Sequence, residues 1–102
     1  MIESYVSPDR EFEIVLDTQT YIRIASLKRK NVLTRPEARV LIYLLENMGE
    51  TICADTLICE CWDGKNRSKS SLAVAVSNVR KALRDTRYRI GNIRGVYITR
   101  IS

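Results

Sequence analysis

The apolar positions change their period several times along the chain, and each change marks an element. From Glu11 to Leu33 the segments FEIVL, YIRIASL and KNVL are strand-like, separated by the turn-prone DTQT and the basic KRK, which predicts a small antiparallel sheet over about 11–33. The period then lengthens to that of a helix. Ala38, Leu41, Ile42, Leu45 and Met48 share one face of a segment that opens with Thr34, Pro36 and Glu37, an N-cap, a first-turn proline and the partner residue of a capping box. A core helix is expected over about 35–48, closed by Gly49 at the C′ position. A shorter helix is expected over about 54–62, where Leu57, Ile58, Cys61 and Trp62 fall at helical spacing.

A third helix, expected over about 69–84, has two faces that differ in kind. Leu72, Val76, Val79 and Leu83 form one stripe with Ala75 and Ala82 beside it, the pattern of a face buried against a core. The other side carries Ser70, Ala73, Val74, Ser77, Asn78, Lys81 and Arg84, with Arg80 at the border and no carboxylate before Asp85. Between the second and third helices lies the polar, turn-rich DGKNRSKS. After the third, YRIGNIRGVYIT shows two β-rich runs around Arg94-Gly95, which predicts a hairpin over about 88–100 with a basic residue at its tip.

Three helices followed by a hairpin, with a sheet in front, make an α+β winged helix-turn-helix: an N-terminal antiparallel β-sheet, three helices and a C-terminal β-hairpin wing. In that architecture the last helix can enter the DNA major groove. A helix in a groove about 12 Å wide needs small or hydrogen-bonding side chains at the base edges and cations where it passes the phosphates. The outward side of residues 70–84 has that composition.

Composition narrows the reading further. At 102 residues the chain is expected to be one domain, 1–102. Its longest apolar runs, such as Val40 to Leu45, are too short to span a bilayer, and its first residues lack the basic start and apolar block of a secretory signal. A cytoplasmic location is expected. The net charge of +5 is unevenly spread: residues 65–102 hold ten bases against Asp85 alone, whereas residues 1–20 hold five acids and one base. A block of that kind attracts a polyanion, although a solvated charged face is its commoner origin. Cys53, Cys59 and Cys61 are read as structural thiols, since their spacing matches no paired zinc motif and the chain has no histidine; no metal and no cofactor are expected. Without a nucleophile elbow, a phosphate-cradling glycine loop or clustered carboxylates, an enzyme is not expected either.

The residues also resemble a known family, the OmpR/PhoB-type winged-helix DNA-binding domain, and in particular its ToxR/CadC-like members. LTRPEARVLIYLLENMGE, followed by Leu57 and Trp62, then SLAVAVSNVRKAL and IRGVYI, carry the likeness in order over nearly all of residues 12–100. The resemblance implies a four-stranded N-terminal sheet, a hairpin that pairs partly with a central strand, and a bacterial transcription regulator, often an activator, bound to promoter DNA as a head-to-tail pair on direct repeats. It assigns base contacts to Ala73, Val74 and Asn78, with Arg94 entering the minor groove. Backbone contacts fall on Ser70, Ser71, Ser77, Arg80 and Lys81. Trp62 is implied to meet phosphate and to open a transactivation loop, residues 63–69, through which RNA polymerase could be met. Tyr97 is implied either to pack beneath the wing or to touch phosphate. The family's usual Gly-x-Gly-Tyr turn is shortened here to Gly95-Val96-Tyr97, and Cys53 stands where a Ser or Thr cap is common.

Other readings stand beside these. Trp62 also suits a core anchor, Val74 a protein interface, and Arg80 packing through its aliphatic stem. A winged helix can also serve as a protein-interaction module or bind DNA without sequence preference. The chain is further expected to be the DNA-binding part of a longer ToxR-like regulator with a membrane anchor beyond residue 102, monomeric alone and pairing on DNA.

Overall fold

The computed structural model describes residues 3–25, 28–62 and 68–101. Four short strands come first: β1 (Glu3–Val6), β2 (Phe12–Leu16), β3 (Tyr21–Ile24) and β4 (Arg29–Val32), paired antiparallel in the order β1-β2-β3-β4. The sheet thus begins at Glu3, ahead of the predicted start near residue 11. The sequence ESYV contains too few apolar residues to show a period, and it is a strand because it pairs with β2, Tyr5 opposite Ile14. The basic KRK, expected to separate two strand-like runs, is itself partly strand. Arg29 and Lys30 lie in β4, opposite Ile24 and Arg23, and Lys28 takes the left-handed backbone conformation (φ 49°) just before it.

Helix α1 (Arg35–Glu46) has the expected start. Thr34 Oγ1 accepts the Glu37 N–H at 3.3 Å, and Glu37 Oε1 accepts the Thr34 N–H at 2.9 Å, which closes the capping box. Its end differs from the expected one. Asn47 is the C-cap, so Gly49 lies one position beyond C′. Gly49 does adopt the left-handed conformation (φ 83°), but its N–H reaches across to the Thr99 carbonyl at 3.0 Å instead of closing the helix. That bond leads the chain into β5 (Ile52–Cys53), a two-residue strand, and then into α2 (Ala54–Cys61) and α3 (Lys69–Leu83). The hairpin of β6 (Tyr88–Ile93) and β7 (Val96–Ile101) completes a second sheet in the order β5-β7-β6.

The core lies where the first sheet, the three helices and the hairpin converge. Phe12, Ile14, Ile22 and Ile24 from the sheet, Leu41 and Leu44 from α1, Leu57 from α2 and Tyr88 from β6 are all 1% exposed or less. The predicted stripe of α3 belongs to it: Leu72, Val76, Val79 and Leu83, with Ala75 and Ala82 beside them, are buried. Each of the four leucines and valines contributes roughly 1.5–3 kcal/mol by leaving water, which fixes the rotation of α3 about its axis. Rotation of the inner face determines which residues stand outside.

Candidate nucleic-acid interface

Helix α3 starts at Ser68, whose Oγ accepts the Ser71 N–H at 3.2 Å. Ser71 is half-buried and its hydroxyl meets that of Ser68 at 3.2 Å, so it serves the cap as well as the surface. Beyond the cap, Ser70, Ala73, Val74, Ser77, Arg80, Lys81 and Arg84 are exposed. Val74 is 62% exposed, an unusual position for a β-branched apolar side chain on an otherwise polar face. No carboxylate occurs in residues 69–83, so the small residues of the middle turns are flanked only by cations.

Both borders of that face are tied down. On one side the Asn78 amide donates from Nδ2 to Glu37 Oε2 at 2.7 Å, joining α3 to the capped start of α1. On the other, Arg80 Nε donates to the Ile90 carbonyl at 3.0 Å, joining α3 to β6. Arg80 is thus tied to β6 through its guanidinium while the residue as a whole remains exposed. Beside it a cleft of about 230 Å³ has Leu83, Tyr88 and Ile90 as its floor and Arg80, Arg84 and Arg89 as its walls. On the Asn78 side a wider groove of about 650 Å³ runs between β4, the start of α1 and α3, with Asn31, Thr34, Glu37, Asn78, Lys81 and Arg84 along it.

The wing tip is a two-residue loop. Ile93 pairs with Val96, and the residues between them, Arg94 and Gly95, both have positive φ, 53° and 78°. That is the requirement of a type I′ turn, whose twist matches the strands it joins. Glycine meets it freely; an arginine does so at a cost of roughly 1–2 kcal/mol. Asn92 Oδ1 accepts the Gly95 N–H at 3.2 Å, and the Gly95 carbonyl accepts the Ala54 N–H at 3.0 Å, so the tip is hung from the start of α2. Arg94 is exposed, next to Ile93 at 68% exposure.

Tyr97 is 3% exposed and opposes Ile52 and Asn92, so its ring packs beneath the wing. Trp62, the C-cap of α2, is half-buried against the core and also borders a cleft of about 360 Å³ with Pro36, Ser71 and Val74. Both readings of the indole are thereby compatible. The loop assigned to transactivation lies mostly outside the described residues, since 63–67 are not among them.

The cysteines stand apart from this surface chemistry. Burial pushes the Cys61 thiol up to about 12, which leaves it unreactive. Cys53 is exposed, and its Sγ lies 3.1 Å from Thr56 Oγ1; that hydrogen bond draws its pKa below the ordinary value. Among the described residues no group of three or more Cys, Asp or Glu could hold a metal ion, and no helix is long and apolar enough to cross a membrane.

Two features of this surface leave no mark along the sequence. Glu37 was legible as a cap, but its bond to Asn78 spans 41 positions and leaves no local signal. Arg89 was hidden because its neighbourhood with Arg80 and Arg84 exists only once β6 lies beside α3.

The sequence model of the family described as transcriptional regulatory protein, C terminal, matches residues 28–97, from Lys28, just before β4, to Tyr97. No curated protein sequence matches the chain closely enough to count as a relative. Among solved structures, the DNA-binding domain of E. coli CadC is similar over 100% of this chain and 94% of its own, with a TM-score of 0.73 at 18% identity. The C-terminal domain of the nisin resistance regulator NsrR, a lantibiotic response regulator, is similar over 83% of this chain and 88% of its own, with a TM-score of 0.63 at 20% identity. At such identities the likeness is one of fold, and that fold is the winged helix.

Proposed function

The chain belongs to the OmpR/PhoB-type family of transcriptional regulatory protein C-terminal domains, which are DNA-binding winged helices, and on that premise we propose that it recognises promoter DNA by sequence. Helix α3 enters the major groove with Ala73, Val74 and Asn78 toward the base edges. Ser70, Ser71, Ser77, Arg80, Lys81 and the edge of Trp62 meet the backbone, and Arg94 enters the adjacent minor groove.

The observation that carries this reading is the outward face of α3: exposed small side chains flanked by cations, with no carboxylate along the helix. A solvated face with no partner usually mixes both signs of charge. Val74 suits the methyl group of thymine, and a narrow, electronegative minor groove suits a tip arginine. Head-to-tail pairing on direct repeats and contact between loop 63–69 and RNA polymerase belong to the same reading, as does a longer ToxR-like parent chain, for which the encoding gene is the direct check.

Selection of bound duplexes from a random pool, followed by competition against unselected DNA at fixed salt, tests the proposal. A consensus should emerge and outcompete random duplex. Binding that is salt-sensitive but blind to sequence would instead identify an architectural module. Two variants refine the outcome. Asn78→Ala should relax preference at one or two base pairs at a cost of about 1–3 kcal/mol. Lys81→Ala should weaken all sequences alike and lower the salt slope by about one.

A further inference from the structure

Among the described residues Glu37 is the only buried carboxylate, 8% exposed, and both of its oxygens are engaged. Oε1 takes the Thr34 N–H, which satisfies the helix cap. The local needs of α1 end there. Oε2 takes Asn78 Nδ2 at 2.7 Å, on the border of the outward face of α3.

This second bond has a chemical consequence for Asn78. An amide can in general turn either end toward a neighbour, and nothing about an exposed asparagine decides between them. An ionised carboxylate can only accept, so the nitrogen end of Asn78 must face Glu37. Because the amide is planar with oxygen and nitrogen on one carbon, Oδ1 is directed away from that contact, and Asn78 itself is half-buried on the border of the outward face. The capping box holds Glu37 itself, so the orientation is inherited from the start of α1 and is set before any ligand arrives.

We infer that Glu37 is a positioning residue that determines specificity: by fixing the Asn78 amide it makes α3 present a hydrogen-bond acceptor at this place. The base edge read there offers a donor in the major groove, the exocyclic amine of adenine or cytosine, in preference to the acceptor edges of guanine and thymine. The inference rests on the proposed DNA recognition and deepens it, since Glu37 never touches DNA itself.

The test is duplex selection with the wild type, Asn78→Ala and Glu37→Gln, alongside thermal unfolding of each. Asn78→Ala erases preference at one base pair and so identifies it; in the wild-type consensus that position is adenine or cytosine on the contacted strand. In Glu37→Gln the glutamine oxygen can still take the Thr34 N–H, which turns its NH₂ group toward Asn78. The Asn78 amide then reverses to accept, and its own nitrogen faces outward. Preference at that one pair should move toward guanine or thymine by roughly tenfold, with the other positions unchanged.

A folded Glu37→Gln that keeps the wild-type preference there overturns the inference, and so does a uniform loss at every position. Should that variant fail to fold, the side-chain NH₂ resonances of Asn78 in the wild type ask the same question without altering the cap. One proton shifted downfield and slow to exchange with water supports a fixed amide, and resonances like those of a free asparagine side chain overturn the inference. A wild type that selects no sequence at all removes the proposed function and this inference together, an outcome recognisable because Asn78→Ala then has no preference to erase.

Discussion

Two pairs of strands treat charge in opposite ways. In the N-terminal sheet Glu13 of β2 stands opposite Arg23 of β3, and the two close an ion pair at 2.8 Å. In the wing the corresponding kind of position holds Arg89 of β6 opposite Arg100 of β7. Directly opposed like charges destabilise a pair of strands by roughly the few tenths to 1 kcal/mol that opposed unlike charges contribute. Arg89 is partly diverted, donating to the carbonyls of Thr86 and Tyr88 at 2.6 and 2.8 Å. Arg23 also stands opposite Lys30 of β4, but there Glu13 on its other side supplies a compensating carboxylate, whereas neither β6 nor β7 contains one, so the wing keeps a surplus of positive charge against its own pairing. Such a surplus fits a polyanionic partner.

The most severe way to break the comparison is to remove the core that both regions share. Leu72 is fully buried on α3, and Leu72→Ala should cost about 2–5 kcal/mol, seen as a large fall in the denaturation midpoint. Val74→Ala, two residues on but 62% exposed, should change stability by no more than about 0.5 kcal/mol while altering DNA preference. Equal losses of stability from both would mean that the helix does not divide its faces between fold and function.

Next in size is the wing tip. Arg94 holds φ 53°, a conformation that asparagine tolerates well, so Arg94→Asn removes the cation while keeping the turn. Affinity for a selected site should fall by about 1–3 kcal/mol, most for sites with A·T pairs where the wing lies. Thermal stability should hold or rise slightly. An Arg94→Asn domain that binds selected DNA as tightly as the wild type would exclude the minor-groove role.

How much of this was legible beforehand depended on whether the signal was local. The capping box of α1, the buried stripe of α3 and the Arg94-Gly95 turn are written within a few residues, and each is in the structure where the pattern put it. What was illegible depends on partners distant in sequence. β5 is two residues long and is a strand only because β7 lies beside it. Gly49 looked like a helix terminator because its bond to Thr99 has no local mark. The candidate interface divides the same way: the exposure of Ala73, Val74, Ser77 and Lys81 follows from helical period alone, whereas the bonds of Asn78 to Glu37 and of Arg80 to Ile90 need the tertiary fold. That the Tyr97 ring packs beneath the wing, at 3% exposure, likewise emerges only once β7 lies between β5 and β6.

A smaller change would sharpen the contrast by making the wing imitate the first sheet. Arg100→Glu places opposite charges across β6 and β7, as Glu13 and Arg23 do across β2 and β3. Stability should rise by about 0.2–1 kcal/mol, measurable by chemical denaturation at low salt and diminishing as salt is added. DNA affinity should fall at the same time for all sequences. A variant that gains neither stability nor loses affinity would show that the opposed arginines are incidental.

The smallest expected effect lies where the two regions meet. Asp9, in the turn between β1 and β2, accepts on Oδ1 from Ser7 Oγ at 2.8 Å, from the Glu11 N–H at 3.1 Å and from the Tyr88 hydroxyl of β6 at 3.1 Å. Desolvation acts to raise its pKa, but the hydrogen bonds from Ser7, Glu11 and Tyr88 together outweigh it and hold the carboxyl below its ordinary 3.8. The folded protein therefore binds this proton less readily than the unfolded chain. The resulting stability is present above about pH 4 and is lost as pH falls through the depressed folded value. Because Asp9 is exposed, solvent screening keeps the contribution to a few tenths of a kcal/mol. Asp9→Asn should thus be slightly less stable than the wild type at pH 7, with the gap closing as both are titrated from about pH 5 to pH 2. Tyr88→Phe, which removes the hydroxyl and leaves the edge-to-face packing on Phe12 at 5.0 Å, should weaken the same acid dependence while retaining the bonds from Ser7 and Glu11. An Asp9→Asn variant whose stability runs parallel to the wild type across that range would place the acid-sensitive link between sheet and wing elsewhere.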